Sequence, residues 1–529
     1  MGHEGQPWES AVTRRSLIVR AVSGGVALTA LGACGGGGTA TTKTDAPPLK
    51  TRKGGMLRIG VSGGGAQDTL DAHKGTTDAD YARITQLYDR LAEYDRDNKL
   101  RLALAEELTP SKGATSWTVR LRDGVTFHDG KPLTADDVIY SLQRITDPKD
   151  PKNAAASLTL VDLKGMRKLD DRTVRIPMTG PMVDFPDQMT RLTAAIVPRG
   201  YDPKHPIGTG PFKFESISPG QQSVFTKNPS YWRDGGAHVD GVTIINFADD
   251  TARVDALLGG QVEAITNLPA AQISAIAANR ALQVLNSKTG AWQPFTMRVD
   301  KAPFDDVRVR QAFRLIVDRE QMVKQVLSGN GTVGNDLYAR NDPAYASDLP
   351  QRAQDLAQAK SLLAKAGHAG LTVELVTAPV FQGAVEGAQV FAQQAKGAGV
   401  DVKIRKLDSA TFYGPNYLKW AFSQDFWYSN YYLVQAAQAT MPGAAYNETH
   451  WSDPRWTKLV QEARGEIDDA RRKELLHEAQ QIEYDQGGYI VWSFSNQIDA
   501  TSAKVTGFET SANGIPLTDY GFRGVQFVA

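Results

Sequence analysis

Two short apolar runs, Leu371 to Val376 and Val400 to Ile404, flank a stretch of helical composition, and this spacing restricts the fold more than any other feature of the chain. Strands separated by that much helix cannot close a hairpin. They need a crossover, the pattern of a parallel βαβ unit. The rest of the chain agrees with a mixed α/β class. Met56 to Val61 reads as a strand that runs into the glycine loop Gly63-Gly64-Gly65. Ala79 to Leu91 places Ile84, Leu87, Tyr88 and Leu91 on one helical face. Ser116 to Arg122 and Thr173 to Pro177 alternate as strands, and between them Thr134 to Ile145 reads as a helix with Thr134 and Asp137 spaced as a capping box. Apolar residues recur at three and four positions from Asp305 to Leu327, which predicts one long helix stopped by Gly329. A second long helical region spans Pro454 to about Asp485, followed by a strand from Tyr489 to Phe494.

Upstream of all this lies a segment of a different kind. Arg14 and Arg15 precede a mildly apolar stretch from Ala21 to Ala33, the order of a secretory signal. That stretch is too short for a membrane-spanning helix, which needs about 20 residues. Leu31-Gly32-Ala33-Cys34 resembles a bacterial lipobox, and the paired arginines resemble a twin-arginine signal. Residues 1–33 are thus expected to be the signal, Cys34 the lipidated first residue of the mature chain, and residues 34–53 a Gly-, Thr- and Pro-rich tether. The protein is expected outside the cytoplasm, lipid-anchored on the cell surface or periplasmic side of the cytoplasmic membrane.

Charge and cysteine count remove several classes. With 59 basic and 59 acidic side chains, nothing in the balance points to nucleic acid. One cysteine makes neither an internal disulfide nor a thiolate metal centre. Eight histidines are scattered without metal-ligand spacing, so no metal and no cofactor are expected. Gly60-Val61-Ser62-Gly63-Gly64 matches the G-x-S-x-G elbow of serine hydrolases, but a loop composition follows it where a helix should begin. Ser62 remains the candidate for a secreted hydrolase, and a glycine loop containing Gly65 beside a cleft is the plainer reading.

Four segments carry a resemblance. They are Leu121 to Asp129 with Gly130 and Leu133 to Val138, Pro206 to Phe212, Asn228 to Trp232, and Pro303 to Phe313. In order and separation they resemble the large solute-binding proteins of ABC importers, the family that takes up peptides, nickel chelates and some oligosaccharides. That resemblance implies an α/β, two-lobe, periplasmic-binding-protein-like fold of class II type with an additional inserted subdomain. Lobe I would take residues 54–92, 191–299 and 496–529, the insert 93–190, and lobe II 300–495. It implies no enzyme activity. A monomer would capture an oligopeptide or peptide-like small solute between the lobes and deliver it to the transmembrane subunits of an ABC permease. A sugar or a metal chelate is the alternative ligand, and a sensor or chaperone without a permease an alternative role.

Ligand residues are sought where the composition is anomalous. Ten aromatics fall within residues 412–432, in a chain whose whole content is 9 Trp, 17 Tyr and 18 Phe. Their spacing fits neither one helical face nor strict alternation, so they divide between core and cleft. Trp427 and Tyr428 are the cleft candidates, because tyrosine and tryptophan combine flat apolar area with a polar edge. In peptide-binding relatives an aspartate shortly after a tryptophan holds the peptide ammonium; here that position is Asn430, a neutral amide, with Asp425 a possible substitute. Trp292 and Gln293, just before the expected crossing into lobe II, complete the candidates.

Overall fold

In the computed structural model, which describes residues 50–529 apart from Ala66, the expected crossover is present. Thr372–Thr377 and Asp401–Lys406 pair in parallel, and the helix Ala384–Gly397 between them buries Ala388, Phe391 and Ala395 against Val373, Leu375 and Val402. The export signal, Cys34 and residues 35–49 lie outside the described residues.

These strands edge a mixed sheet of eleven strands among the described residues. From one edge to the other it runs Asp401–Lys406, Thr372–Thr377, Phe422–Gln424, Leu282–Met297, Tyr489–Ser502, Ala264–Ile265, Met56–Ser62, Gly241–Phe247, Gln222–Lys227 and Phe212–Ser218; Gly331–Val333 adds to Tyr489–Ser502 off this path. The two longest strands, Leu282–Met297 and Tyr489–Ser502, are antiparallel and belong to both halves. Leu285 packs with Leu57, Ile59 and Val61 of the opening strand, whereas Phe295, Met297, Ile490 and Trp492 pack with Phe313 and Phe391 of the other half. Their pairing slips between Lys288 and Trp292. The crossing into the second lobe thus falls inside this strand, so residues 292–299 pack with the second lobe, not with the first as the sequence reading had them.

The inserted subdomain has its own core, from Leu91 to Ile196, on a sheet of Ala105–Pro110, Ser116–Leu121, Thr173–Pro177 and Arg167–Lys168. Its helix Ala135–Ile145 carries the expected Thr134/Asp137 capping box and buries Val138, Leu142 and Ile145.

Three sequence expectations change. The long helix from Asp305 is two, Val307–Ile316 and Arg319–Val326, because Asp318 caps the second by accepting from the Gln321 amide at 2.9 Å. Both bury their apolar stripes in one core, so the periodicity runs across the break unmarked. Likewise Pro454–Gly465 and Asp469–Gln486 are separate helices, the second capped by Asp468. Finally, Thr51 and Arg52, expected in the tether, pair antiparallel with Val528 and Phe527.

Buried charges in the second lobe are matched. Asp336, fully buried, accepts from Arg319 at 2.7 and 2.8 Å and from Arg352 at 2.7 Å. Glu483 has no cation at ion-pair distance; it accepts from the Tyr432 hydroxyl at 2.6 Å, which in turn accepts from Trp456 Nε1 at 2.9 Å. Burial pushes the Glu483 carboxyl from 4.5 up to about 7. Its neutral form therefore stabilises the fold fully below about pH 4.5, and that contribution erodes until pH passes about 7. Glu483→Gln should remove this dependence, worth about 3 kcal/mol: urea unfolding of the variant at pH 5 and pH 8 should differ less than that of the parent by about this amount.

Candidate functional site

The opening strand Met56–Ser62 delivers its last residue to the boundary between the lobes. Beyond it Gly63 and Gly64 adopt φ of 84° and 92°, and a Cβ at Gly64 would collide with Asn246. Only glycine fits there. The loop is held by Asp68, whose carboxylate accepts from Gly65 N at 3.0 Å, Gly220 N at 2.8 Å, Asn246 at 2.7 Å and the fully buried Arg83 at 2.9 Å.

Ser62 does not have hydrolase surroundings. Its hydroxyl donates to Asp78 Oδ2 at 2.9 Å and accepts from Asn267 at 3.0 Å, and no histidine contacts it among the described residues. The next helix begins only at Asp78. The histidine base of a Ser-His-Asp arrangement is not among the contacts of this hydroxyl in the described residues. Four of the eight histidines are engaged structurally: His73 Nε2 lies 2.9 Å from Ala195 O, His128 Nε2 3.1 Å from Gly210 O, His450 Nε2 3.1 Å from Leu418 O, and His477 Nε2 2.9 Å from Asp348. Among the described residues, no group of three or more His, Cys, Asp or Glu could hold a metal ion, and no helix is long and apolar enough to cross a membrane.

The second lobe meets this floor with its aromatic segment. Trp427 and Trp292 form a two-bond antiparallel bridge, N to O at 2.9 Å in both directions, and their rings stack at 5.9 Å and 12°. Behind Trp292 the stack continues through Tyr338 at 5.3 Å to Tyr432 at 5.0 Å, while Tyr489 abuts Trp292 edge-on at 5.2 Å. Trp292 is 1% exposed, so it supports Trp427 from behind and does not line the cleft as the sequence suggested. Tyr428, by contrast, keeps 59% of its surface open. Walls on either side lower the dielectric around its hydroxyl and push it up to about 12, with Tyr81 and Asp78 of the first lobe contributing. Tyr428 is thus an exposed ring within electrostatic reach of Tyr81 and Asp78 of the first lobe. Its backbone N–H and C=O have no partner among the described residues.

The other candidates separate. Asn430 donates its amide to Gln435 at 2.9 Å and is committed to its own helix start. Gln293 is buried, and its Oε1 has no partner. Asp425 accepts from the hydroxyls of Tyr413 and Tyr417 at 2.7 and 3.1 Å and lies beside Glu448, whose carboxyl burial and the Asp425 charge push well above its usual range. Of the aromatics, Phe412, Phe422 and Tyr432 are core. Tyr431 donates to Asn98 O of the inserted subdomain and lines a cavity of about 540 Å³ between that subdomain and the second lobe.

Sequence reasoning missed Arg191, which follows the short helix Phe185–Gln188. Its guanidinium makes one contact, Nε to Gln188 at 3.5 Å, and no ion pair among the described residues. Burial lowers its pKa, and the groups facing it are the hydroxyls of Tyr81, Tyr94 and Tyr446, from the first lobe, the insert and the second lobe. Arg314, fully buried, spends its nitrogens on three carbonyls at 2.7, 2.9 and 3.1 Å. Arg191 is enclosed but keeps part of its surface open, the position of a side chain on the wall of a cleft. A single arginine among 59 basic residues leaves no signal in the sequence.

Comparison with known proteins now has a geometry to attach to. The family model described as "Bacterial extracellular solute-binding proteins, family 5 Middle" matches residues 99–458. The chain is 25% identical over 493 residues to the glutathione-binding protein GsiB of Pectobacterium atrosepticum, covering 88% of this chain and 93% of that one. It is 26% identical to heme-binding protein A of Haemophilus influenzae, over 82% of this chain and 86% of that one. Among solved structures, the ABC transporter-associated periplasmic binding protein DppA of Helicobacter pylori, in complex with the peptide STSA, superposes with a TM-score of 0.76 at 21% identity, covering 90% of this chain and 99% of that one.

The stacked tryptophans make separable predictions. Trp292→Ala should cost roughly 3–5 kcal/mol of stability, as for other fully buried aromatics. Tyr428→Ala should stay within about 0.5 kcal/mol of the parent in the same denaturant melts, because its ring is largely exposed and meets one ring, Phe426, edge-on at 5.6 Å.

Proposed function

The chain belongs to the bacterial extracellular solute-binding proteins of family 5, and on that premise we propose that it binds an oligopeptide or peptide-like acid in the cleft between Ser62–Gly65 and Trp427–Tyr428. Members of this family work outside the cytoplasm with an ABC permease, so capture by lobe closure and delivery to that permease is the role. Closure is driven only by a ligand that touches both lobes and so favours the closed arrangement.

One observation carries the ligand class. Arg191 brings a guanidinium to the junction of both lobes and the insert with no carboxylate of the protein to meet it. Leaving a charge without its counter-ion in such an enclosure costs several kcal/mol unless the partner arrives from outside. A planar fork of donors suits a carboxylate, which it can hold bidentately. The free backbone N–H and C=O of Tyr428 supply main-chain partners for an amide of the same ligand. The relatives named for glutathione and for a bound peptide are consistent with this class.

Lipid attachment at Cys34, with export through the preceding signal, is part of the same proposal and is supported by the lipobox-like Leu31-Gly32-Ala33-Cys34. The protein then acts as a surface-tethered monomer.

A thermal-shift screen of peptides, sugars and metal chelates tests the ligand class. Peptides or peptide-like acids should stabilise the protein by about 2.7 kcal/mol at a hundredfold excess over Kd. Arg191→Gln should weaken binding of a peptide acid about 10- to 150-fold while leaving its C-terminal amide unchanged, the difference expected of a charge-assisted hydrogen bond. A shift with sugars or chelates alone would overturn the reading.

A further inference from the structure

The seam where the described chain enters the first lobe collects positive charge. Ala529 N donates to Lys50 O and Val528 N to Lys504 O, both at 2.8 Å, while Thr51 and Arg52 pair with Val528 and Phe527. Gly54 N donates to His238 O at 2.8 Å, and His238 N to Arg523 O at 3.3 Å. Lys50, Arg52, Lys53, Lys504 and Arg523 therefore stand on adjoining segments of one face, and the first four are exposed. Burial, and then the charges of Lys53, Lys227 and Arg523, lower the pKa of His238, so Lys227 belongs to the same group.

Most of this charge is unmatched. On this face only Arg58 has a carboxylate at ion-pair distance among the described residues, that of Glu263. Asp240 accepts from the Gly55 amide at 2.8 Å, and Arg52 lies over the Phe527 ring at 4.8 Å. A depression of about 520 Å³ opens here, lined by Arg52, Arg58 and Lys504 and by Met56 and Phe527. Met56 keeps 42% of its surface open, so apolar surface lies among the charges. In a chain with 59 basic and 59 acidic side chains this excess is local. Like charges so close repel one another unless a negative surface covers them.

The place of the face in the chain points to that surface. Fifteen residues, 35–49, separate Cys34 from Lys50. A tether of that length and composition reaches about 20 Å. A chain lipidated at Cys34 therefore holds this face within a few Debye lengths of the bilayer, each about 8–10 Å. We propose that the basic face of Lys50, Arg52, Lys53 and Lys504 docks on the anionic phospholipid headgroups of the membrane that carries the lipid anchor. This goes beyond solute binding and rests on the Cys34 reading. Lipid chain and basic patch are then two attachment signals, the number that stable anchoring takes, and the first lobe is turned toward the bilayer.

The test is sedimentation with phosphatidylcholine vesicles, with and without phosphatidylglycerol, using the full chain carrying Cys34→Ser so that no lipid is attached. One variant adds Lys50→Gln, Arg52→Gln, Lys53→Gln and Lys504→Gln. A control of the same net charge instead adds Lys360→Gln, Lys365→Gln, Lys396→Gln and Lys406→Gln, exposed lysines of the second lobe. Residues 1–33 are common to all three proteins, so the difference between the variants reports the face. Each cation near an anionic surface contributes about fivefold. The first variant, checked for folding by its melt, should lose about fiftyfold or more in affinity for phosphatidylglycerol vesicles, and the control less than about fivefold. Equal losses in the two variants would overturn the docking face and leave the lipid anchor standing. Displacement of the parent chain by inorganic phosphate at constant ionic strength would mark a soluble-anion pocket and overturn it too. A mature parent chain whose mass shows no lipid on Cys34 would overturn the anchor reading, and the orientation with it, whatever the vesicles show.

Discussion

Everything in the molecule that bears on binding depends on the antiparallel pairing of Leu282–Met297 with Tyr489–Ser502. A strand can enter two cores only if its side-chain alternation is allowed to reset between them. The slip between Lys288 and Trp292 does this. On one side Leu285 serves the first lobe; on the other Trp292 anchors a stack of rings and Phe295 enters the phenylalanine core of the second. Bends and irregularities in a ladder concentrate where one sheet must change direction, and here the irregular point is also where Trp292 holds Trp427 by two backbone bonds. The crossing between the lobes and the stacked rings are one structural unit.

The treatment of charge separates scaffold from site. Arg83, Asp336 and Arg314 are buried and fully furnished with partners: Arg83 by Asp68, Asp80, Asn246 and Ser223, Asp336 by two arginines, Arg314 by three carbonyls. These side chains hold loops and helices in place. Arg191 is partly exposed and has a single hydrogen bond, to Gln188 at 3.5 Å, with no ion pair among the described residues. A charge at the edge of a low-dielectric enclosure is retained where something else supplies the missing partner.

How much of this was legible in the sequence follows from what kind of interaction makes each feature. The crossover around Thr372–Thr377, the capped helix at Thr134 and the opening strand are local patterns of period and cap, and they were readable. The break at Asp318 was not, because both helices bury the same stripe and the cap outweighs a periodicity that continues across it. The aromatic density at residues 412–432 is plain in the sequence, yet only contacts across the sheet reveal that Trp292 is a buried support and Tyr428 an exposed surface. Arg191 was invisible for a deeper reason. What marks it is the absence of an ion-pair partner from distant segments among the described residues, and no local pattern encodes an absence.

The small sheet at the far side of the first lobe has a mechanical meaning. Thr51 and Arg52 pair with Val528 and Phe527, Ala529 N donates to Lys50 O at 2.8 Å, and Phe527 packs into the first-lobe core. The described chain therefore enters and leaves the fold through one seam, and that seam belongs to the first lobe. The first lobe is thus fastened at both ends of the described chain, whereas the second lobe joins it through the paired strands Leu282–Met297 and Tyr489–Ser502.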